Sequence, residues 1–155
     1  MSSRLFQRVR EEEGLAYSVF SYADFLKDSG LFCAFMGVSP SSTTKALTIA
    51  LEEFRKARAL GLSADEIGRS KAQLKGSLLL GLESMSNRMT RLAKSEIYCG
   101  RYVSVDELVS MIEEVTAETI ARAAELVLSP ENLSFVALGP CRQKEIFRVV
   151  EAPST

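Results

Sequence analysis

Residues 15–38 read LAYSVFSYADFLKDSGLFCAFMGV, two apolar runs on either side of a polar segment. The runs, Leu15 to Asp24 and Leu31 to Val38, are rich in Val, Phe, Tyr and Leu, and β-branched and aromatic residues favour strands. The segment between them contains Lys27-Asp28-Ser29-Gly30, a composition typical of turns. This arrangement predicts an antiparallel β-hairpin. Because the second run does not alternate between apolar and polar residues, its strand is expected to be covered on both faces.

Helical patterns lie on both sides of the predicted hairpin. Before it, Ser3 is a candidate N-cap for a helix over Arg4 to Glu13, and Gly14 is the expected stop. After it, Ser39-Pro40 combines a capping hydroxyl with a proline at the first helical position, where the missing N–H carries no penalty. That second helix is predicted to end near Leu60-Gly61.

The rest of the chain is predicted to be mostly helical, with one more strand. The helices are expected to begin at the capping boxes Ser63–Glu66 and Ser104–Glu107, near Ser84, and after Thr116. A last strand is expected over Leu133 to Leu138, closed by a Gly-Pro pair and followed by a short helix.

The order of these elements predicts the fold class. A helix, a hairpin, a block of helices and one strand indicate an α+β fold with helices packed on a mostly antiparallel sheet, expected as a single domain over residues 1–155. The predicted sheet is small, since sheets usually have about four to six strands and only three are visible. Either one edge of the sheet is bare, or strand material is missing from this sequence.

Composition narrows the class of protein. The chain has 155 residues, of which 46% are hydrophobic and 25% charged, as in soluble globular domains. Nineteen basic and twenty acidic residues give a net charge of −1, so nothing favours nucleic acid or an anionic membrane as a partner. No apolar run is long enough to span a bilayer. Because residues 1–4 lack the layout of a secretory signal, a cytoplasmic location is expected.

The absence of histidine excludes several chemistries. By itself the chain cannot be a Ser-His-Asp hydrolase, a Cys-His protease or a His-ligated zinc enzyme. Its cysteines, Cys33, Cys99 and Cys141, form no C-x-x-C pair and are expected to be reduced and buried. The sequence therefore predicts no metal site and no cofactor in this chain.

The segment Arg10-Glu11-Glu12-Glu13-Gly14-Leu15-Ala16-Tyr17 is the candidate binding site. Arg10 lies in the last turn of the predicted first helix, and Gly14 permits the left-handed reversal that returns the chain as the strand with Tyr17. A guanidinium and a phenol can thus meet above one edge of the sheet, where their donors together can hold a carbonyl or a developing oxyanion. The alternative is structural, with Arg10 paired to a neighbouring glutamate and Tyr17 packed on a half-exposed strand.

Seven short segments form an ordered set. They are residues 1–11 (MSSRLFQRVRE), 14–19 (GLAYSV), 61–67 (GLSADEI), 71–80 (KAQLKGSLLL), 84–89 (SMSNRM), 130–133 (PENL) and 138–140 (LGP). In this order they resemble the C-terminal half of the pitrilysin/insulinase metallopeptidases, in the branch that contains mitochondrial processing peptidase and its bacterial relatives. The likeness spans nearly the whole chain, and its specificity comes from the order of the segments.

This resemblance implies a fold and a role. In that family two similar α+β halves enclose a chamber, and the N-terminal half binds zinc through an H-x-x-E-H motif and a distal glutamate. The C-terminal half provides an arginine and, seven residues later, a tyrosine that reach the substrate at the metal. Those positions fall on Arg10 and Tyr17, so the resemblance favours the binding hypothesis over the structural one.

The resemblance also implies that this sequence is most of such a C-terminal half, without the half's opening strand and helix and without the zinc half. The function it predicts is the substrate-binding lobe of a zinc-dependent endopeptidase that hydrolyses peptides or presequence-like segments. The lobe is expected to be inactive alone, with Zn held in the longer protein and Arg10 and Tyr17 supporting the transition state. Its expected partners are the peptide substrate and the zinc-binding half of the same protein or of a partner chain, with a homodimer through the exposed sheet edge as a further candidate.

Two alternatives stay open at this point. The first is a non-catalytic structural or partner subunit of a processing-peptidase-like complex, because the family includes chains that lack a functional zinc motif. The second is a free-standing α+β binding module unrelated to proteolysis. An H-x-x-E-H motif upstream of Met1 would favour the peptidase over the first alternative.

Overall fold

The computed structural model describes residues 3–150 except for the side chain of Gln143, so Met1 and Ser2 of the first similar segment lie outside the described residues. The predicted α+β class is confirmed. The elements in chain order are a π-helix (Phe6–Glu12), β1 (Ala16–Phe25), β2 (Gly30–Val38), a 3-10 turn (Pro40–Ser42), α1 (Thr43–Leu60), α2 (Ala64–Gly81), α3 (Met85–Cys99), α4 (Val105–Glu114), α5 (Ala117–Val127), a second 3-10 turn (Pro130–Asn132) and α6 (Gln143–Val150).

The chain divides into two compact units. One comprises the chain up to Leu60 and from Ala124 onward, and the other is Gly61–Ala123. The first unit contains the π-helix, the hairpin, α1 and α6, whereas the second contains α2, α3, α4 and the first part of α5. The single domain expected over residues 1–155 stays a prediction.

The predicted hairpin is confirmed. Its strands β1 and β2 pair in antiparallel fashion as far as Ala16, which lies opposite Val38. The register shifts between Ala16 and Ser18, so Tyr17 lies in a β-bulge at the start of β1. A bulge bends its strand and re-aims side chains, which makes Tyr17 a special position in the sheet.

The two faces of the hairpin differ in burial. On one face Val19 and Met36 join a core cluster that includes residues of α1. On the opposite face the rings of Phe20 and Phe35 stack with their centroids 5.0 Å apart, and each side chain is 49% exposed. The prediction that the second strand is covered on both faces is therefore wrong, because α1 packs against one face and the other is open to solvent.

The third strand predicted over Leu133 to Leu138 does not form. The described residues contain one sheet, and it consists of β1 and β2 alone. Val136 and Leu138 are 89% and 103% exposed. A strand needs a neighbour to pair its backbone N–H and C=O groups, and this segment has none among residues 3–150.

The first helix differs in type from the one expected over Arg4 to Glu13. Residues Phe6–Glu12 form a π-helix, a rare form that is frequently found at functional sites. Ser3 accepts a hydrogen bond at its hydroxyl oxygen from the backbone at the start of this helix, as predicted for a cap. Gly14 follows the helix with φ of +59°, the left-handed conformation expected of the stop.

The later helix starts were predicted well. Ser63 and Glu66 form a full capping box, in which the Ser63 hydroxyl accepts from the Glu66 N–H and the Glu66 carboxylate accepts from the Ser63 N–H. At Ser104 only half of the predicted box forms: the Ser104 hydroxyl accepts from the Glu107 N–H, but the Glu107 carboxylate accepts from Arg101. Ser39 differs, because its hydroxyl donates to the hydroxyl of Ser42 and makes no bond to the backbone N–H groups of the helix.

The core of the first unit lies between the π-helix, the hairpin and α1. Its buried members are Leu5, Val9, Ala16, Val19, Ala46, Ile49 and Ala50. The cysteines are not part of it: Cys99 is exposed at the end of α3, and Cys33 and Cys141 are half-buried. The prediction that the cysteines are buried is therefore wrong.

Within residues 3–150, no helix combines the length and the apolar character needed to cross a membrane. The cytoplasmic location stays a prediction.

Candidate functional site

Arg10 and Tyr17 are neighbours in the structure. The guanidinium carbon of Arg10 lies 5.8 Å from the centroid of the Tyr17 ring. The same carbon also lies 5.0 Å from the centroid of the Phe6 ring. A cation within about 6 Å of an aromatic centroid is attracted by the face of the ring. Arg10, Tyr17 and Phe6 therefore form one group, called the arginine–aromatic cluster below.

The two polar members of this cluster face solvent. Tyr17 is 90% exposed, and Arg10 is also exposed. A guanidinium carries five N–H donors in its plane, so a ring stacked near its face leaves the donors at its edge available. The tyrosine adds a single hydroxyl donor on a rigid ring. The cluster thus presents unlike donors side by side to an incoming ligand.

Buried neighbours aim these side chains outward. Val9, directly before Arg10, is fully buried, and Ala16, directly before Tyr17, is 6% exposed. Consecutive residues point in different directions on a helix and to opposite faces on a strand. Anchoring Val9 and Ala16 in the core therefore directs Arg10 and Tyr17 away from it, and the left-handed Gly14 joins the two limbs.

Two of the three glutamates after Arg10 are engaged by other cations. Glu12 accepts a 2.7 Å hydrogen bond from Arg8, and Glu13 accepts a 2.6 Å bond from Lys45 of α1. The Lys45 ammonium also lowers the pKa of the Glu13 carboxyl, chiefly through that hydrogen bond. Within the described residues no ion pair joins Arg10 to a carboxylate. The structural alternative, in which Arg10 pairs with a neighbouring glutamate, is not the arrangement found.

Glu53 is a residue that sequence reasoning missed. It is 6% exposed on α1, and its Oε1 lies 2.8 Å from Lys56 Nζ and 3.7 Å from Arg8 Nε. It therefore joins α1 to Arg8 of the π-helix. The sequence does contain a feature that indicates a buried Glu53: it lies on the apolar face of the predicted helix, three residues after Ala50 and seven after Ala46.

The chain's own residues do not fit a zinc site. The sequence has no histidine. Among residues 3–150 there is no group of three or more cysteine, aspartate or glutamate side chains close enough to hold a metal ion. Zinc chemistry therefore cannot be assigned to any residue described in this chain.

Known sequences are similar over nearly the whole chain. Residues 1–74 match the family described as the peptidase M16 inactive domain. An uncharacterized zinc protease of Streptomyces coelicolor is 42% identical over 152 residues, which is 98% of this chain and 33% of that protein. Uncharacterized zinc proteases of Mycobacterium tuberculosis (37% identical, 90% of this chain, 32% of that protein) and Bacillus subtilis (34%, 90%, 34%) are also similar. The chain spans about a third of the length of these relatives.

Two solved structures share the fold. A chain of complex III from Candida albicans superimposes with a TM-score of 0.71 at 19% identity, over 81% of this chain and 30% of that one. The periplasmic protease PqqL from Escherichia coli superimposes with a TM-score of 0.63 at 26% identity, over 81% of this chain and 14% of that one. Sequence and fold thus point to the same group of proteins, and the resemblance noted from the sequence is confirmed. The chain belongs to the pitrilysin/insulinase (M16) family of zinc metallopeptidases, as a domain of its C-terminal, inactive type.

Proposed function

We propose that this chain is the substrate-binding lobe of a zinc-dependent endopeptidase and that Arg10 and Tyr17 bind the peptide being cleaved. The arginine–aromatic cluster carries the proposal, because it holds a cation with free forked donors beside an exposed phenol. The zinc-protease names of the relatives support peptide hydrolysis as the activity of the longer protein. Peptides and presequence-like segments are the proposed substrates.

In this proposal both side chains act on the scissile amide. Arg10 donates to the carbonyl oxygen, or to the adjacent peptide carbonyl, and its charge favours the oxygen more strongly as negative charge develops there. Tyr17 donates a second hydrogen bond from its hydroxyl. The rings of Phe6 and Tyr17 hold the guanidinium in place before substrate arrives, so little ordering is needed during the reaction. Cleavage itself requires the zinc-binding half, in the same protein or in a partner chain.

The experiment compares hydrolysis of a fluorogenic peptide by the zinc-binding half with and without this chain. We expect no hydrolysis by this chain alone, slow hydrolysis by the zinc-binding half alone, and faster hydrolysis by the mixture at equal zinc content. The reason is that the Arg10 and Tyr17 donors arrive only with this chain. Equal rates with and without it would contradict the proposal. A mixture that co-elutes but stays inactive would favour the non-catalytic partner subunit.

A homodimer through the free edge of β2 is part of the proposal. Within the described residues β2 pairs only with β1, and a free edge readily pairs with another chain. We expect light scattering to give the mass of a dimer for this chain and of a monomer for Leu31→Lys. Leu31 is 56% exposed at the start of β2 and lies opposite Asp24, so a lysine suits the hairpin while it blocks the edge.

The control for this variant is Leu60→Lys, which adds the same charge at a side chain 81% exposed on α1, away from the sheet. It is expected to remain dimeric. A monomeric unchanged chain, or equal dissociation by both variants, would rule out the edge as the contact.

A further inference from the structure

Arg10 precedes three glutamates in the sequence, Glu11, Glu12 and Glu13. Side chains three or four residues apart on a helix are neighbours, so Glu13 is the natural ion-pair partner for Arg10. Within the described residues, however, the guanidinium of Arg10 contacts two aromatic rings and pairs with no carboxylate. The arrangement matters for binding, because an arginine that is paired with a glutamate has fewer N–H donors left for a ligand.

Two of these three glutamates are bound by other cations. Glu12 is bound by Arg8, four residues before it on the same π-helix. Glu13 is bound by Lys45, which comes from α1 and is 32 residues away in sequence. Glu11 and Glu12 follow Arg10 by one and two residues, and side chains at these spacings on a helix do not face each other, so Glu13 is the glutamate spaced to reach Arg10.

Helix α1 is connected to both of these cations: it contains Lys45, and its Glu53 contacts Arg8. Arg8, which binds Glu12, has its Nε buried and 3.7 Å from the buried carboxylate of Glu53. Lys45 lies two turns earlier on α1 and reaches the end of the π-helix at Glu13. Between these two contacts, Val9 packs on the apolar side chains of α1. The same helix therefore anchors the backbone that carries Arg10 and, through Lys45, occupies Glu13.

We propose that Lys45 is a positioning residue that occupies Glu13 and thereby keeps the Arg10 donors available for a substrate carbonyl. The inference rests on the proposed function, because it assigns a role to a residue that acts through Arg10. The Lys45–Glu13 pair is the one to test, since Lys45 is 60% exposed and the Glu13 side chain is 28% exposed. Its removal deletes an ion pair without opening the core.

The size of the effect follows from the strength of an exposed ion pair. If Glu13 is released and binds Arg10, the fraction of molecules with a free guanidinium falls by about two- to fivefold. The value of kcat/KM falls by the same factor, because only molecules with a free guanidinium are competent. The effect disappears at about 1 M salt, where the screening length is about 3 Å.

The experiment measures kcat/KM for a fluorogenic peptide with this chain and the zinc-binding half together. Lys45→Met is expected to lower kcat/KM by about two- to fivefold at low salt and to have no effect at about 1 M salt. The double variant Lys45→Met/Glu13→Gln is expected to regain the original value, because the uncharged glutamine does not capture Arg10. A purely structural role for Lys45 predicts no such rescue, since the double variant also lacks the ion pair.

The matched control is Lys75→Met, which removes a half-buried lysine from its ion pair with the exposed Glu113 in the second unit. It is expected to leave kcat/KM unchanged. A loss in Lys45→Met that the double variant does not reverse would overturn the inference, as would an unchanged Lys45→Met beside a slowed Arg10→Ala. If Arg10→Ala itself is unchanged, the proposed function is wrong and the inference falls with it.

Discussion

Arg10→Ala and Tyr17→Phe are each expected to lower kcat by about 10²–10³-fold in the complete zinc protease, equivalent to about 2.7–4 kcal/mol of transition-state stabilisation. Both changes remove a donor aimed at an oxygen that gains charge during the reaction. Both side chains are exposed, so the fold should tolerate the changes. The measurement is steady-state kinetics on a fluorogenic peptide, with zinc content determined for each preparation.

The kinetic pattern separates transition-state support from simple substrate binding. A donor that acts mainly in the transition state lowers kcat and kcat/KM together, whereas a donor that binds substrate and transition state equally raises KM and leaves kcat unchanged. We expect the first pattern for Tyr17→Phe, which keeps the ring that holds Arg10 and removes only the hydroxyl. Arg10→Lys is expected to lie between the original protein and Arg10→Ala, because it keeps the charge and loses the fork.

Tyr22→Phe is the matched control for the tyrosine. Tyr22 is 47% exposed on the same strand but lies beyond the arginine–aromatic cluster. Its hydroxyl interacts with Cys33, which raises the pKa of Tyr22. This variant is expected to keep full turnover. Unchanged kcat in both Arg10→Ala and Tyr17→Phe, at full zinc content, would remove the site assignment.

Local features of the sequence predicted the parts of the fold that depend on local chemistry. The capping box at Ser63 needs only residues three apart, and the stop at Gly14 needs only a left-handed conformation, so both could be read from short segments. The closeness of Arg10 and Tyr17 follows from the same bend. The site geometry was therefore predictable once one helix end and one strand start had been placed.

Features that depend on distant contacts could not be predicted in this way. The apolar run from Leu133 has a strand-like composition, but a strand also needs a pairing partner, which no single segment reveals. Likewise, the bond from Lys45 to Glu13 joins residues 32 apart in sequence. The triplet of glutamates predicted acidic groups near Arg10, but it is the packing of α1 that brings Lys45 to Glu13.

Ile49→Ala is expected to lower the free energy of unfolding of the first unit by about 2–5 kcal/mol. Ile49 is 5% exposed on α1 and belongs to the cluster that holds the π-helix and β1. Truncation removes buried methyl and methylene groups and leaves a cavity that the neighbours fill only in part. Domains of this size are typically stable by about 5–15 kcal/mol, so the loss is a large share of the total.

Because the chain has two compact units, the measurement should report on each separately. Amide hydrogen exchange in urea distinguishes the amides of α1 and β1 from those of α3 in the second unit. Ile97→Ala is the matched control, since Ile97 is 70% exposed on α3 and its truncation is expected to change stability by less than about 0.5 kcal/mol. Similar small effects of both variants would show that the contact of α1 with the π-helix and β1 does not stabilise the unit. In that case the anchoring of Val9, and with it the outward placement of Arg10, would lose its physical basis.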